Sequence, residues 1–118
     1  MSENVFTQRP LGDNVMLINP GQELQNDNSE EMVEALKSAK SNGYKFAIID
    51  MVDLQYISSS GICSFLYSVQ EWRDNGGDII LCNVPASIKG VLELLDLKQY
   101  LKIADNEKVA ASVCGVKS

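Results

Sequence analysis

The sequence predicts an α/β domain, a mixed β-sheet of about five strands with about four helices. Two observations carry this fold class. Phe46-Ala47-Ile48-Ile49-Asp50-Met51 and Ile79-Ile80-Leu81-Cys82 are nearly continuous apolar runs, the pattern of strands covered on both faces. Between them, Ile62, Phe65, Leu66, Val69 and Trp72 recur at helical spacing and form one wide apolar face, which Asn75-Gly76-Gly77 ends. Strand, helix and strand in this order make a right-handed βαβ unit with parallel pairing.

The remaining elements follow in chain order. Asn4 to Gln8 is weakly strand-like and stops at Pro10, and Gly12-Asp13-Asn14 reads as a turn. Val15-Met16-Leu17-Ile18 is a short apolar run ended by Asn19-Pro20-Gly21, so a first hairpin is expected. A polar loop, Gln22 to Asn28, leads into a helix. Asn28 and Glu31 have capping-box spacing, Met32, Ala35, Leu36 and Ala39 supply the apolar face, and Gly43 offers a left-handed stop. Pro85 breaks the chain after the second buried strand. Ser87 is the expected cap of a third helix with Ile88, Val91, Leu92 and Leu95 on one face. Leu101-Lys102-Ile103-Ala104 reads as a short last strand at or near an edge. Asp105 or Asn106 then caps a final helix through Val109 and Val113, closing at Gly115. With 118 residues and no internal repeat, low-complexity tract or linker, residues 1–118 are expected to form one domain.

Composition narrows the function. Hydrophobic residues at 45% and charged residues at 22% are ordinary for a globular protein. A net charge of −6 argues against nucleic acid, whose phosphates call for clustered Lys and Arg. The basic residues form no run suited to an anionic membrane surface, and no apolar run is long enough to span a bilayer. Met1-Ser2-Glu3-Asn4 has no basic stretch followed by an apolar one, so no secretory signal is expected. Cys63, Cys82 and Cys114 are odd in number, widely spaced and free of any C-x-x-C pattern; buried reduced thiols in a cytoplasmic protein are expected.

The chain contains no histidine. Neither a Ser-His-Asp nor a Cys-His arrangement can be built, and a serine nucleophile has no imidazole base to activate it. Neither G-x-x-x-x-G-K-[ST] nor G-x-G-x-x-G occurs, so no nucleotide or other cofactor is expected. Asp50 and Asp53 are the closest pair among the scattered acids Asp50, Asp53, Asp74 and Asp78. Without a third carboxylate at a suitable spacing, no metal site is expected. Glu30 and Glu31 suit the first turn of a helix through its dipole, and Phe65 and Trp72 stand at core spacing. A non-enzymatic role follows.

One segment stands apart from these structural readings: Tyr56-Ile57-Ser58-Ser59-Ser60-Gly61-Ile62, between the first buried strand and its helix. Serine is a preferred helix cap, worth about 1 kcal/mol against alanine. A cap needs one hydroxyl, whereas this turn has three. The turn also lies at the carboxyl end of a central strand, where open α/β sheets place functional loops. A helix start has unpaired N–H groups and a positive dipole end, so a hydroxyl there can carry a phosphate at modest local cost. The residues alone leave cap and switch both open.

Phe46 to Gly61, followed by Ile62 to Phe65, resembles the STAS domain of anti-sigma factor antagonists, whose members run a buried strand into Asp-Ser-Ser-Gly or Asp-Ser-Ala-Gly at a helix start. The hairpin, first helix, βαβ unit with Gly-Gly and a following helix like Ile88 to Leu95 match in the same order. Leu94-Leu95-Asp96-Leu97 is similar to the family's leucine-rich turn. The resemblance implies a bacterial partner-switching regulator. A serine-kinase anti-sigma factor phosphorylates it and a PP2C-type phosphatase reverses the step; the unphosphorylated form binds the anti-sigma factor and the phosphorylated form lets go. Carried over residue by residue, the phosphoacceptor is Ser59, with Ser58 and Ser60 as alternatives. The partner-binding surface is Ser58, Ser60, Gly61 and Ile62 with the first helical turn, and Glu23, Leu24 and Gln25 are neighbours. The sequence departs from the family pattern at Ser58 and Gln25, where the family keeps acids. The other reading of the same domain is a scaffold or small-ligand-sensing module whose serine turn is only a cap.

Overall fold

The computed structural model describes residues 6–115, with the side chains of Asn26, Asp27 and Lys98 outside that description. Its elements are β1 (Thr7–Pro10), β2 (Val15–Asn19), β3 (Glu23–Leu24), α1 (Asn26–Ser41), β4 (Phe46–Asp50), β5 (Tyr56–Ile57), α2 (Ser59–Asp74), β6 (Asp78–Cys82), α3 (Ala86–Leu94), a single 3-10 turn (Leu97–Gln99), β7 (Lys102–Ala104) and α4 (Glu107–Val113). The two apolar runs take the middle of a five-stranded sheet of order β1-β2-β4-β6-β7. Only β1 is antiparallel, paired with β2; β2, β4, β6 and β7 are parallel neighbours, with Ile49 opposite Leu81 and Ala47 opposite Ile79. The sheet is therefore mixed, as the sequence predicts, and β7 lies at an edge.

Alternation along β4 and β6 distributes side chains between two cores. Ile18, Ile49, Ile79 and Leu81 pack with Met32 and Leu36 of α1, Phe65 and Trp72 of α2, and Ile88 and Leu92 of α3. Ile48, Ile80 and Cys82 face the other way, with Val15, Leu17 and Ala104, and meet Ala110 of α4. Three helices thus cover one face and the short α4 the other. The return from α2 to β6 is set by Gly77, since a Cβ there would lie 1.6 Å from the Lys45 carbonyl oxygen. Gly77 N–H donates to the Trp72 carbonyl at 2.9 Å, and the Arg73 guanidinium bonds Asp78 at 3.0 Å and the Tyr100 carbonyl at 2.8 Å.

Several boundaries differ from the expected ones. β1 starts at Thr7 and keeps Pro10, which an exposed edge strand tolerates; Asn4 lies outside the described residues. Helix α1 starts earlier than the Asn28–Glu31 spacing suggests. Gln25 is the cap, and Asn28 reaches back, accepting from the Gln25 N–H at 2.8 Å and donating to the Glu23 carbonyl at 2.7 Å. Pro85, with its preset φ of −59°, stands at the cap of α3, so Ser87 falls within the first turn instead. Of the expected face of α3, Ile88 and Leu92 are buried, whereas Val91 and Leu95 are exposed. For α4 the choice between two caps resolves to Asn106, whose Oδ1 accepts from the Val109 N–H at 2.9 Å; Ala110 is buried while Val109 and Val113 are exposed.

The three thiols also divide. Cys82 is buried, Cys114 is half-buried, and Cys63 is exposed, against the expectation of three buried thiols. Burial, reinforced by the Asp50 and Glu107 carboxylates, pushes the Cys82 thiol up to about 12 from 9.0. Cys114 rises to about 11 by burial and Asp78, partly opposed by Lys102. Below pH 9 folded and unfolded chains both keep the Cys82 proton; above it the unfolded chain ionises first, so stability is lost as pH climbs from 9.0 towards about 12. Urea midpoints are therefore expected to fall above pH 9, and Cys82→Ala should flatten part of the decline. A thiol reagent at about pH 8 should label Cys63 quickly and Cys82 only on unfolding. In the opposite core, Trp72→Ala should cost about 3–5 kcal/mol in urea unfolding.

Candidate functional site

The serine turn is held by a second, very small sheet. β3 and β5 pair in parallel, Glu23 opposite Tyr56 and Leu24 opposite Ile57, apart from the main sheet. The Gln22 carbonyl extends the ladder on one side, accepting from the N–H groups of Gln55 at 2.7 Å and Tyr56 at 3.2 Å. On the other side the Leu24 carbonyl accepts from the Ser58 N–H at 2.9 Å. The same carbonyl presses on the first turn of α2: a Cβ on Gly61 would lie 2.6 Å from it and 2.9 Å from Ile57 Cγ1. Glycine is needed at 61 for this close approach. The Gln22–Gln25 segment and the serine turn, far apart in sequence, thus become neighbours.

The three hydroxyls then take different roles. Ser58 is the cap of α2, extended at φ −92° and ψ 172°, and its Oγ accepts from the Gly61 N–H at 3.2 Å. Ser60 Oγ lies 3.1 Å from Ser58 Oγ, within hydrogen-bonding distance, and is half-buried. Ser59, the first residue of α2, is exposed, and its side chain has no hydrogen-bond partner among the described residues. Helix α2 has no acidic residue in its first turn, so no carboxylate there offsets its positive end.

Not every residue expected on the surface is on it. Leu24 is fully buried, Ile62 is 5% exposed and Gly61 is buried; they support the turn from beneath instead of facing a partner. Their burial follows from Leu24 and Ile62 sharing the core with Met32 and Phe65. Glu23 and Gln25 are half-buried, and Gln25 Nε2 donates to Glu23 Oε2 at 2.9 Å. The exposed side chains around the turn include Cys63, expected to be buried, and Tyr67, which the sequence pattern does not single out. Tyr56, in β5 immediately before the turn, is exposed, and Cys63 and Tyr67 stand on the outer side of α2. The signal was there: Cys63 and Tyr67 are four apart, off the Phe65–Val69–Trp72 stripe. With Ser60 and Ser64 they form one wall of a groove of about 360 Å³, and Ser29, Glu30, Val33 and Glu34 of α1 form the other.

The other acids are structural. Asp50 accepts from the Val52 N–H at 3.1 Å and from Asn83 Nδ2 at 3.0 Å, and Asp53 accepts from Asn19 Nδ2 at 3.2 Å. Among the described residues, no group of three or more Cys, Asp or Glu side chains is placed to hold a metal ion. Likewise, no helix among them is long and apolar enough to cross a membrane.

The family model described as the STAS domain matches residues 8–110. The chain belongs to the STAS domain family. BtrV of Bordetella bronchiseptica, which carries the name of an anti-sigma factor antagonist, is 28% identical over 85 residues, 72% of this chain and 73% of BtrV. Among solved structures, a Thermotoga maritima protein, TM1081, that carries the name of an anti-sigma factor antagonist superposes with a TM-score of 0.85 at 21% identity, covering 93% of this chain and 94% of that chain. The phosphorylated form of the Bacillus cell fate determinant SpoIIAA gives 0.73 at 20% identity, covering 92% and 99%. At such identities the structures share the fold.

The STAS turn's dependence on close packing is testable. Gly61→Ala should destabilise the domain by about 1–3 kcal/mol, because the clash is with backbone. Ser58→Ala should cost about 1 kcal/mol, whereas Ser58→Asp should unfold near the wild-type urea midpoint, since either residue caps a helix well.

Proposed function

We propose that this STAS domain is a non-enzymatic anti-sigma factor antagonist, cytoplasmic and bacterial, that switches partners when Ser59 is phosphorylated. In its unphosphorylated form it binds a serine-kinase anti-sigma factor; a PP2C-type phosphatase restores that form. The observation that carries the reading is the division of labour in the turn: Ser58 caps α2, while Ser59 is exposed and free of hydrogen bonds among the described residues. Modifying Ser59 therefore breaks no side-chain hydrogen bond among the described residues.

The energetics favour a switch. A phosphate adds about −1.5 to −2 charges, and the end of α2 stabilises such a charge by about 0.3–1 kcal/mol. A partner packed on a neutral Ser59 hydroxyl has instead to desolvate a dianion. A loss of about 1.4 kcal/mol already weakens affinity tenfold. The departure from the family's acid at Ser58 preserves capping, because serine and aspartate are both strong caps, and removes a negative charge beside the acceptor. The surface that the partner covers is Ser58, Ser59 and Ser60 with exposed Tyr56, edged by Glu23 and Gln25.

Mass spectrometry after incubation with the cognate anti-sigma kinase and ATP should place one phosphate on Ser59 and none on Ser59→Ala. Ser59→Asp should lower affinity for the kinase at least about tenfold in calorimetry. No phosphate on any serine of the turn, with affinity unchanged by Ser59→Asp, leaves a constitutive scaffold or a small-ligand-sensing module in its place.

A further inference from the structure

The groove between α1 and α2 begins where the serine turn ends, since Ser60 lines it. One wall carries Glu30 and Glu34, four residues apart and so on one side of α1. The other carries Tyr67, 68% exposed, with Cys63 one turn before it, and Val33 adds an aliphatic surface. Among the described residues, Glu30 and Glu34 make no ion pair and no basic side chain lines the groove. Two carboxylates opposite an exposed aromatic ring, in a mostly apolar cleft, match one side chain better than others. A guanidinium can pair with carboxylates through its planar fork, stack on a tyrosine ring and lay its methylene stem on apolar surface.

We propose that this groove seats an arginine side chain of the partner protein, an anchor continuous with the contact at the serine turn. The proposal rests on the partner-binding role given to that turn. Charge complementarity selects the occupant: the cleft offers negative charge and an aromatic face on a chain of net charge −6, so an acidic or purely aliphatic segment fits it less well.

The test needs neither the partner nor phosphate. The isotope-labelled full chain is titrated by NMR with acetyl-Arg-Leu-amide and, separately, with the same peptide carrying citrulline, arginine's neutral isostere. The arginine peptide is expected to shift amides of residues 29–34 and 60–67 and to bind about three- to fivefold more tightly than the citrulline peptide. Glu30→Gln with Glu34→Gln should abolish that difference, while the amides of β4 and β6 keep their wild-type shifts and so report an intact fold. Equal affinity for the two peptides, shifts mapping elsewhere, or self-association of the chain at the groove in the absence of peptide would each overturn the proposal. A failure of Ser59 phosphorylation leaves this titration unaffected, so the two readings fail separately.

Discussion

One backbone carbonyl, that of Leu24, decides where α2 begins. It accepts from the Ser58 N–H at 2.9 Å and closes on Gly61 so tightly that no side chain fits between. Leu24's own side chain is fully buried, so the carbonyl cannot shift without disturbing the core. The next residue, Gln25, caps α1. Two helix starts and the turn between β5 and α2 are therefore fixed by one short parallel ladder. A loop held this way would cost little entropy to present to a partner, because its backbone is already ordered.

The same constraint sorts the hydroxyls. Once Leu24 holds the Ser58 backbone extended, the Ser58 side chain is the one placed to reach the Gly61 N–H. Ser59 is then the first residue of the helix and turns outward, and Ser60 sits against the cap. What looks in sequence like three equivalent serines is one cap, one exposed hydroxyl and one hydroxyl paired with the cap. Aspartate and serine are interchangeable in the first role, so the geometry around Ser59 does not depend on an acid at 58.

The legible parts of the fold are those with a period. β4, β6 and α2 are long enough for burial to impress its pattern on them, and their order dictates parallel pairing. β3 and β5 have two residues each and no period, so their pairing exists only as tertiary structure. That is why Gln22–Gln25 could be placed beside the serine turn only by resemblance, and why Leu24, Gly61 and Ile62 were expected on a surface they lie beneath. Helix α3 misled for a related reason. Its nine residues bury only Ile88 and Leu92, and the chain turns away at Asp96 in the left-handed region, φ 56°, leaving Leu94 and Leu95 outside. Cys63 was hidden by its type: an isolated cysteine suggests burial, yet its position off the apolar stripe of α2 decides otherwise.

The charge of the surface limits how a phosphate on Ser59 can act. If the partner anchors a cation between Glu30 and Glu34, an added dianion nearby attracts that cation, and long-range electrostatics alone would tighten the complex. Release has therefore to come from the immediate contact. Desolvating a dianion is costly at any ionic strength. The exposed ring of Tyr56, in the strand that leads into the turn, is the kind of group that excludes water once covered. On the proposed reading, the groove would set affinity that phosphorylation leaves in place, and the turn the part that phosphorylation removes. With the two separated, the switch can be complete at Ser59 without dismantling the rest of the interface.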